Sequence, residues 1–152
     1  MQEGIKLDIG CGDRKLDYTW TGIDYRKLEG VDIVQDLEKF PWNIPNDCAS
    51  IARCMHVVEH INPCKGTFIK FMDEIWRTMM TGADLYIECP YATSKGYFRD
   101  PTHCNPCNEE TWEYFDHTKP LYNVYKPKPW SIESLEFDQD TIKVILRKCE
   151  PM

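Results

Sequence analysis

The stretch Ile5-Lys6-Leu7-Asp8-Ile9-Gly10-Cys11-Gly12 limits what this chain can fold into more than any other. The short apolar run from Ile5 to Ile9 predicts a buried strand. It ends in two glycines one residue apart. Glycine has no Cβ, so the backbone there can turn sharply and lie against a ligand. In a strand–loop–helix unit such a turn holds a nucleotide-like ligand at the carboxyl end of the strand. Gly-x-Gly alone is a weak signal; Asp8, two residues before the first glycine, strengthens it.

The next two strands strengthen it further. The second, Trp20 to Asp24, ends in another acid, and the third, Val31 to Gln35, leads into Asp36 and Leu37. In open α/β sheets an acid closing the second strand accepts hydrogen bonds from ribose hydroxyls. Acids at the ends of three successive strands suit a ligand with a ribose, an amino base and a cationic group. They suit a pyrophosphate poorly. The first loop also lacks the third glycine of the dinucleotide fingerprint and has no Gly-Lys-Ser/Thr.

The remainder alternates strand and helix, which predicts an α/β fold with a mostly parallel sheet. Residues 13–19 leave room for a helix of only about two turns. A fourth strand, Ser50 to Met55, runs directly into His56-Val57-Val58-Glu59-His60. Asn62-Pro63 is a plausible start for a helix over 64–80, with Phe68, Met72, Ile75 and Met79 on its apolar stripe and Thr81-Gly82 as its stop. A fifth strand covers Asp84 to Cys89. Residues 91–107 form a long polar and aromatic loop, which in a compact domain is usually functional. A short helix over 108–117 and an irregular stretch over 118–129 come next. Trp130–Phe137 and Thr141–Cys149 read as an antiparallel hairpin, with a bulge between Ile132 and Leu135 where the alternation changes phase.

Composition narrows the function classes. A length of 152 residues predicts one domain spanning 1–152. The sequence has neither an apolar run long enough for a membrane span nor a secretory leader. The expectation is therefore a cytoplasmic protein whose eight cysteines are reduced thiols. The net charge of −7, from 18 basic and 25 acidic residues, gives no footprint for tight nonspecific nucleic-acid binding.

LDIGCGDRK, GIDYRK, VQDLEKFPW, RCMHVVEHI and EIWRTMMTGADLYIECPYA, in that order, resemble the motif set of class I S-adenosylmethionine-dependent methyltransferases. The chain looks like a small, type-11-like member of bacterial or phage kind. The likeness covers roughly residues 5–90. It implies a Rossmann-like three-layer sandwich with sheet order 3-2-1-4-5-7-6 and a C-terminal hairpin. It implies S-adenosylmethionine as cofactor, with Asp8, Gly10, Cys11 and Gly12 at its methionine part and Asp24 on the ribose. Tyr25, Asp36 and Leu37 would meet the adenine, and Cys54 and Met55 would line the methionine side. The sequence departs from the family at Met80-Thr81-Gly82-Ala83, where a Lys-Pro-Gly-Gly turn is common, and in the short helix after the first loop.

Methyl transfer to oxygen or nitrogen needs the acceptor held in line and its proton removed. His103 is the favoured base and His60 the second, with Glu59 beside it. RCMHVVEHI also resembles the metal-binding stretch of ubiquinone-pathway O-methyltransferases and of small-RNA 2′-O-methyltransferases. That likeness implies a divalent ion on His56, Glu59, His60 and His103. Its few carboxylates would favour zinc, iron or nickel. The plain alternative is a helix start with no metal. His103-Cys104-x-x-Cys107 holds one Cys-x-x-Cys pair, and two free thiols are favoured over a zinc knuckle. Two other readings stay open: a catalytically silent adenosyl-binding module, and a metal-dependent hydrolase using His56, Glu59 and His60. The acceptor, a small molecule or a macromolecule, is not named by the sequence. A surface left open by a shortened helix would suit a homodimer.

Overall fold

The computed structural model describes residues 3–152. Seven strands form one sheet: β1 Ile5–Ile9, β2 Trp20–Asp24, β3 Ile33–Val34, β4 Ala49–Met55, β5 Met79–Pro90, β6 Trp130–Phe137 and β7 Thr141–Lys148. Their spatial order is 3-2-1-4-5-7-6. The first five run parallel, and β7 and β6 are antiparallel at one edge. This is the α/β Rossmann-like arrangement expected from the sequence, with the register shift in β6 falling between Ile132 and Ser134. The hairpin turns at Asp138, whose Oδ1 accepts from the N–H groups of Asp140 and Thr141.

One face of the sheet carries the core. Leu7, Ile9, Ile23, Ala52, Cys54, Leu85, Ile87, Val144 and Leu146 are all buried there. They meet helix α1, Thr67–Thr78, through Phe68, Phe71, Met72 and Ile75, residues at helical spacing. Phe68 also packs edge-on against Phe115 and Trp112, with ring centroids 5.5 and 6.2 Å apart, which seats the 3₁₀ segment Glu109–Tyr114 beside the helix. The opposite face carries ion pairs: Asp8–Arg53, Asp84–Arg147–Glu133 and His56–Glu88–Lys143.

Several boundaries differ from expectation. Residues 13–19 form turns and no helix. Asp17 accepts from the Thr19 N–H and hydroxyl, and the Leu16 N–H is drawn to Asp8 Oδ2 at 3.1 Å, so local side-chain bonds outcompete the helical ladder. Helix α1 is shorter than 64–80. Lys65 and Gly66 have φ of 57° and 73°, which delays its start. At the other end, Met79 leaves the helix directly into β5, pairing with Ala49, and Thr81-Gly82 lies inside that strand. Bonds from Asp47 N to Arg77 O and from Cys48 N to Thr78 O hold that exit extended. The long loop contains a short helix α2, Lys95–Phe98, capped by Ser94 Oγ accepting from Tyr97 N at 3.0 Å. The stretch expected to be irregular contains α3, Tyr122–Tyr125. All eight cysteines are unpaired, and no helix among the described residues is long and apolar enough to cross a membrane.

Candidate active site

The carboxyl ends of β1, β2 and β4 open onto a crevice of about 520 Å³. Gly10 N and Cys11 N both donate to Ile23 O, which folds the first loop over the end of β2. Gly10 has φ +67°, and a Cβ placed there would sit 2.4 Å from Val57 Cγ2. Only glycine fits both the backbone and the contact. Asp24 ends β2 almost fully buried. Its Oδ2 accepts from Gly12 N at 2.9 Å, and its Oδ1 from Arg26 N at 2.9 Å and Arg26 Nε at 3.3 Å. Tyr25 stands beside it, 65% exposed, with the Arg26 guanidinium over its ring. Asp36, Leu37, Glu38, His60 and Ile61 complete the wall.

Of the residues predicted to hold a cofactor, Gly10, Asp24, Tyr25, Asp36 and Leu37 line this crevice. Asp8, Cys54 and Met55 do not line it. Asp8 is turned to the ionic face of the sheet, where Arg53 Nε lies 3.3 Å from Oδ1; burial pushes its carboxyl up while Arg53 opposes that. Cys54 is buried in the core, and desolvation pushes its thiol well up. An alternating strand sends Cys54 to the α1 side and its neighbours to the other. Cys11 and Gly12 act through the loop: burial holds the Cys11 thiol up at about 11, and Gly12 supplies an N–H to Asp24.

A second cavity, about 560 Å³, lies on the other side of His56 and His60. Glu59, Lys95, Gly96, Arg99, Asp100, His103, Asp140 and Thr141 are also in its wall. Glu59 and His60 come from a 3₁₀ turn, Val58–His60. Thr102 and His103 come from the 91–107 loop. Cys104 N and Asn105 N donate to Glu59 O at 2.8 and 3.1 Å, and Asn105 Nδ2 donates to Val58 O at 3.0 Å, so loop and turn are joined.

The hydrogen bonds fix both imidazoles. Thr102 Oγ1 donates to Asp100 Oδ1 at 2.7 Å and lies 3.0 Å from His60 Nδ1. A hydroxyl has one hydrogen, so the second contact uses the proton on His60 Nδ1. His60 Nε2 then carries the lone pair. His103 Nδ1 donates to Tyr97 O at 2.8 Å, an obligate acceptor, and its Nε2 lies 3.5 Å from Asp100 Oδ2. Burial, and then the His103 ring, hold the His60 pKa below its usual value. Glu59 is 1% exposed, its Oε2 has no partner, and burial pushes its carboxyl up to about 7.

Among the described residues, Glu59, His60 and His103 bring three ligand-type atoms within 4.8 Å of one another. The structure does not bring His56, the fourth expected ligand, into this group. Its φ of 57° turns the ring outward, and Nε2 pairs with Glu88 Oε2 at 2.9 Å. Nor do His56 and His60 share a helix face, as the hydrolase reading requires, because only the one 3₁₀ turn separates strand from loop. Sequence reasoning misses the Thr102–Asp100 link that orients His60. Asp100-x-Thr102 is a local turn pattern that could have suggested it.

No family model matches the sequence, and no curated protein matches it. Solved structures do match. An S-adenosylmethionine-dependent methyltransferase from Archaeoglobus fulgidus superimposes with a TM-score of 0.67 at 17% identity, over 94% of this chain and 85% of that one. The [4+2]-cyclase SpnF gives 0.65 at 16% identity, over 96% and 75%. A 16S rRNA adenine methyltransferase from Catenulisporales acidiphilia, solved with its cosubstrate S-adenosylmethionine, gives 0.64 at 14% identity, over 99% and 87%. The cyclase shows that the shared architecture does not by itself dictate the reaction. What the likeness establishes is the fold, and it is the one seen in S-adenosylmethionine-dependent methyltransferases.

Proposed function

We propose that the protein binds S-adenosylmethionine in the crevice and transfers its methyl group to an oxygen or nitrogen acceptor in the adjoining cavity. The observation that carries this reading is that the two cavities share the His56–His60 wall. The crevice on one side has the glycine turn and the ribose-type acid. The cavity on the other has two oriented imidazoles. Asp24 takes the ribose hydroxyls: a carboxylate offers about four acceptor positions, of which three are used, and the Arg26 side chain that uses one of them is half exposed. Asp36 and Leu37 meet the adenine.

In the reaction the acceptor's lone pair attacks the methyl carbon in line with sulfur. The carbon–sulfur bond breaks, its electrons stay on sulfur, and S-adenosylhomocysteine leaves. The acceptor's proton passes to His60 Nε2, which the Thr102–Asp100 link leaves unprotonated. The lowered pKa keeps that nitrogen neutral near pH 7.

The same corner fits a divalent ion. A buried, unpartnered Glu59 oxygen and two imidazole Nε2 atoms, each with its Nδ1 proton held by an oxygen, form the donor set and supporting bonds that nitrogen-preferring metals use. Glu59, His60 and His103 would hold the ion, which would supply Lewis acidity to an acceptor oxygen; with its Nε2 lone pair on the ion, His60 would then not be the base. Metal analysis of protein purified without chelator should give one zinc-class ion per chain, lost in His103→Ala. A metal-free protein that also fails to take up added zinc removes this part and leaves His60 as base.

Cofactor binding is tested by calorimetry with S-adenosylhomocysteine. Asp24→Asn should weaken binding about 30- to 100-fold, the loss of charge-assisted hydrogen bonds to the ribose. Equal affinity in the variant would remove Asp24 from the ribose and, with it, the crevice as the cofactor site.

A further inference from the structure

We propose that the methyl acceptor is a small molecule carrying a phosphate or carboxylate, held at that group by Lys95 and Arg99. The inference rests on the methyltransferase reading for the word acceptor; the anion subsite itself does not. Lys95 and Arg99 stand four residues apart around α2, so both fall on one side of it, and both line the 560 Å³ cavity. Gly96 lines it between them, and a Cβ there would meet nothing closer than Ser94 Oγ at 3.8 Å.

Of the other charged groups of the wall, His56 and Asp100 are engaged, while Glu59 Oε2 and the Asp140 carboxylate have no partner among the described residues. His56 pairs with Glu88. Asp100 accepts from Thr102 N and Thr102 Oγ1 and lies 3.5 Å from His103 Nε2. By contrast, no ion pair or side-chain hydrogen bond among the described residues involves Lys95 or Arg99. Both are exposed at the cavity wall, so their charges are open to an anion that enters from solvent. Guanidinium and ammonium together give a fork and a point charge, the usual pair for a phosphate or carboxylate.

Asp140, in the hairpin turn, also lines the cavity, without an ion-pair partner of its own among the described residues. It is placed to accept from a hydroxyl or amine on the same guest. The cavity's size suits a sugar- or mononucleotide-sized molecule. A polyanion is disfavoured, because the net charge is −7 and Glu109, Glu110 and Glu113 come directly after the same loop.

The test is NMR titration of the His60 and His103 imidazole signals with ribose 5-phosphate, glucuronate and neutral ribose. It uses wild type and the Lys95→Ala/Arg99→Ala double variant. S-adenosylhomocysteine affinity is measured on the same samples. Expected is saturable perturbation by at least one anion and none by ribose, weakened about tenfold or more in the double variant. Cofactor affinity should not change. The tighter of the two anions tells phosphate from carboxylate. If S-adenosylhomocysteine binds but neither anion does, or if the double variant binds the anion as well as wild type, the subsite is overturned. If the anion binds through Lys95 and Arg99 while S-adenosylhomocysteine does not bind, the subsite stands and the methyltransferase reading falls. A short RNA that binds more tightly than ribose 5-phosphate, with a steep salt dependence, overturns the small-molecule class.

Discussion

In chelator, Glu59→Gln should be more stable than the wild type above neutral pH and should lose the part of the fall in stability between about pH 4.5 and 7 that Glu59 contributes. The Glu59 carboxyl is raised from 4.5 to about 7, chiefly by burial. Below 4.5 both the folded and the unfolded chain are protonated there, and the group imposes no penalty. Between the two values the unfolded chain has lost its proton and the folded chain has kept it, so stability falls as pH rises. Above 7 the folded state holds a buried anion, and the full penalty is about 3 kcal/mol at 1.36 kcal/mol per unit. The amide cannot ionise. It keeps the burden of an unpaired buried polar group, so the net gain at pH 8 is about 1–2 kcal/mol. Urea denaturation at pH 5 and pH 8 measures it; parallel pH slopes for the two proteins would contradict the assignment.

Gly10→Ala should lose about 2–5 kcal/mol of folding stability and, with it, detectable binding of S-adenosylhomocysteine. Two effects add. At φ +67° an L-residue costs about 1–2 kcal/mol. The new methyl also meets Val57 Cγ2 at 2.4 Å, an overpacking of about 1–3 kcal/mol. They separate in a double-mutant cycle with Val57→Ala, which leaves Val57 Cβ, at 3.4 Å, as the nearest atom of that side chain. The double variant should recover the contact part and keep the backbone part, giving a coupling of about 1 kcal/mol or more. Additive losses would mean that Val57 is not what confines Gly10.

The sheet is legible in the sequence because each parallel strand is a short apolar run closed by a turn signal, and the hairpin alternates. The crevice is legible for the same reason: Gly10, Asp24 and Asp36 stand at strand ends, where topology decides position. Where structure and expectation differ, the causes are physical. Asp8 and Cys54 lie inside strands, where facing is set by a two-residue period, and neither side chain lines the crevice. Proximity in sequence groups His56 with Glu59 and His60, yet a left-handed backbone angle turns it to Glu88. Residues 13–19 have the length for a helix but also Asp17 and Thr19, whose bonds to each other and to the backbone take the chain elsewhere. The end of α1 is misplaced because Thr81-Gly82 is a fair stop signal, and only pairing with Ala49, far earlier in the chain, draws Met79 out sooner.

The backbone oxygen of Glu59 receives two amides from the segment that carries Thr102 and His103, and the Asn105 side chain adds a third strut to Val58. Those bonds unite in space what the chain holds far apart in sequence. The two imidazoles thus stand together, ring centroids 4.7 Å apart, with no guest in place. A corner arranged in advance leaves discrimination among guests to the cavity's shape and charge.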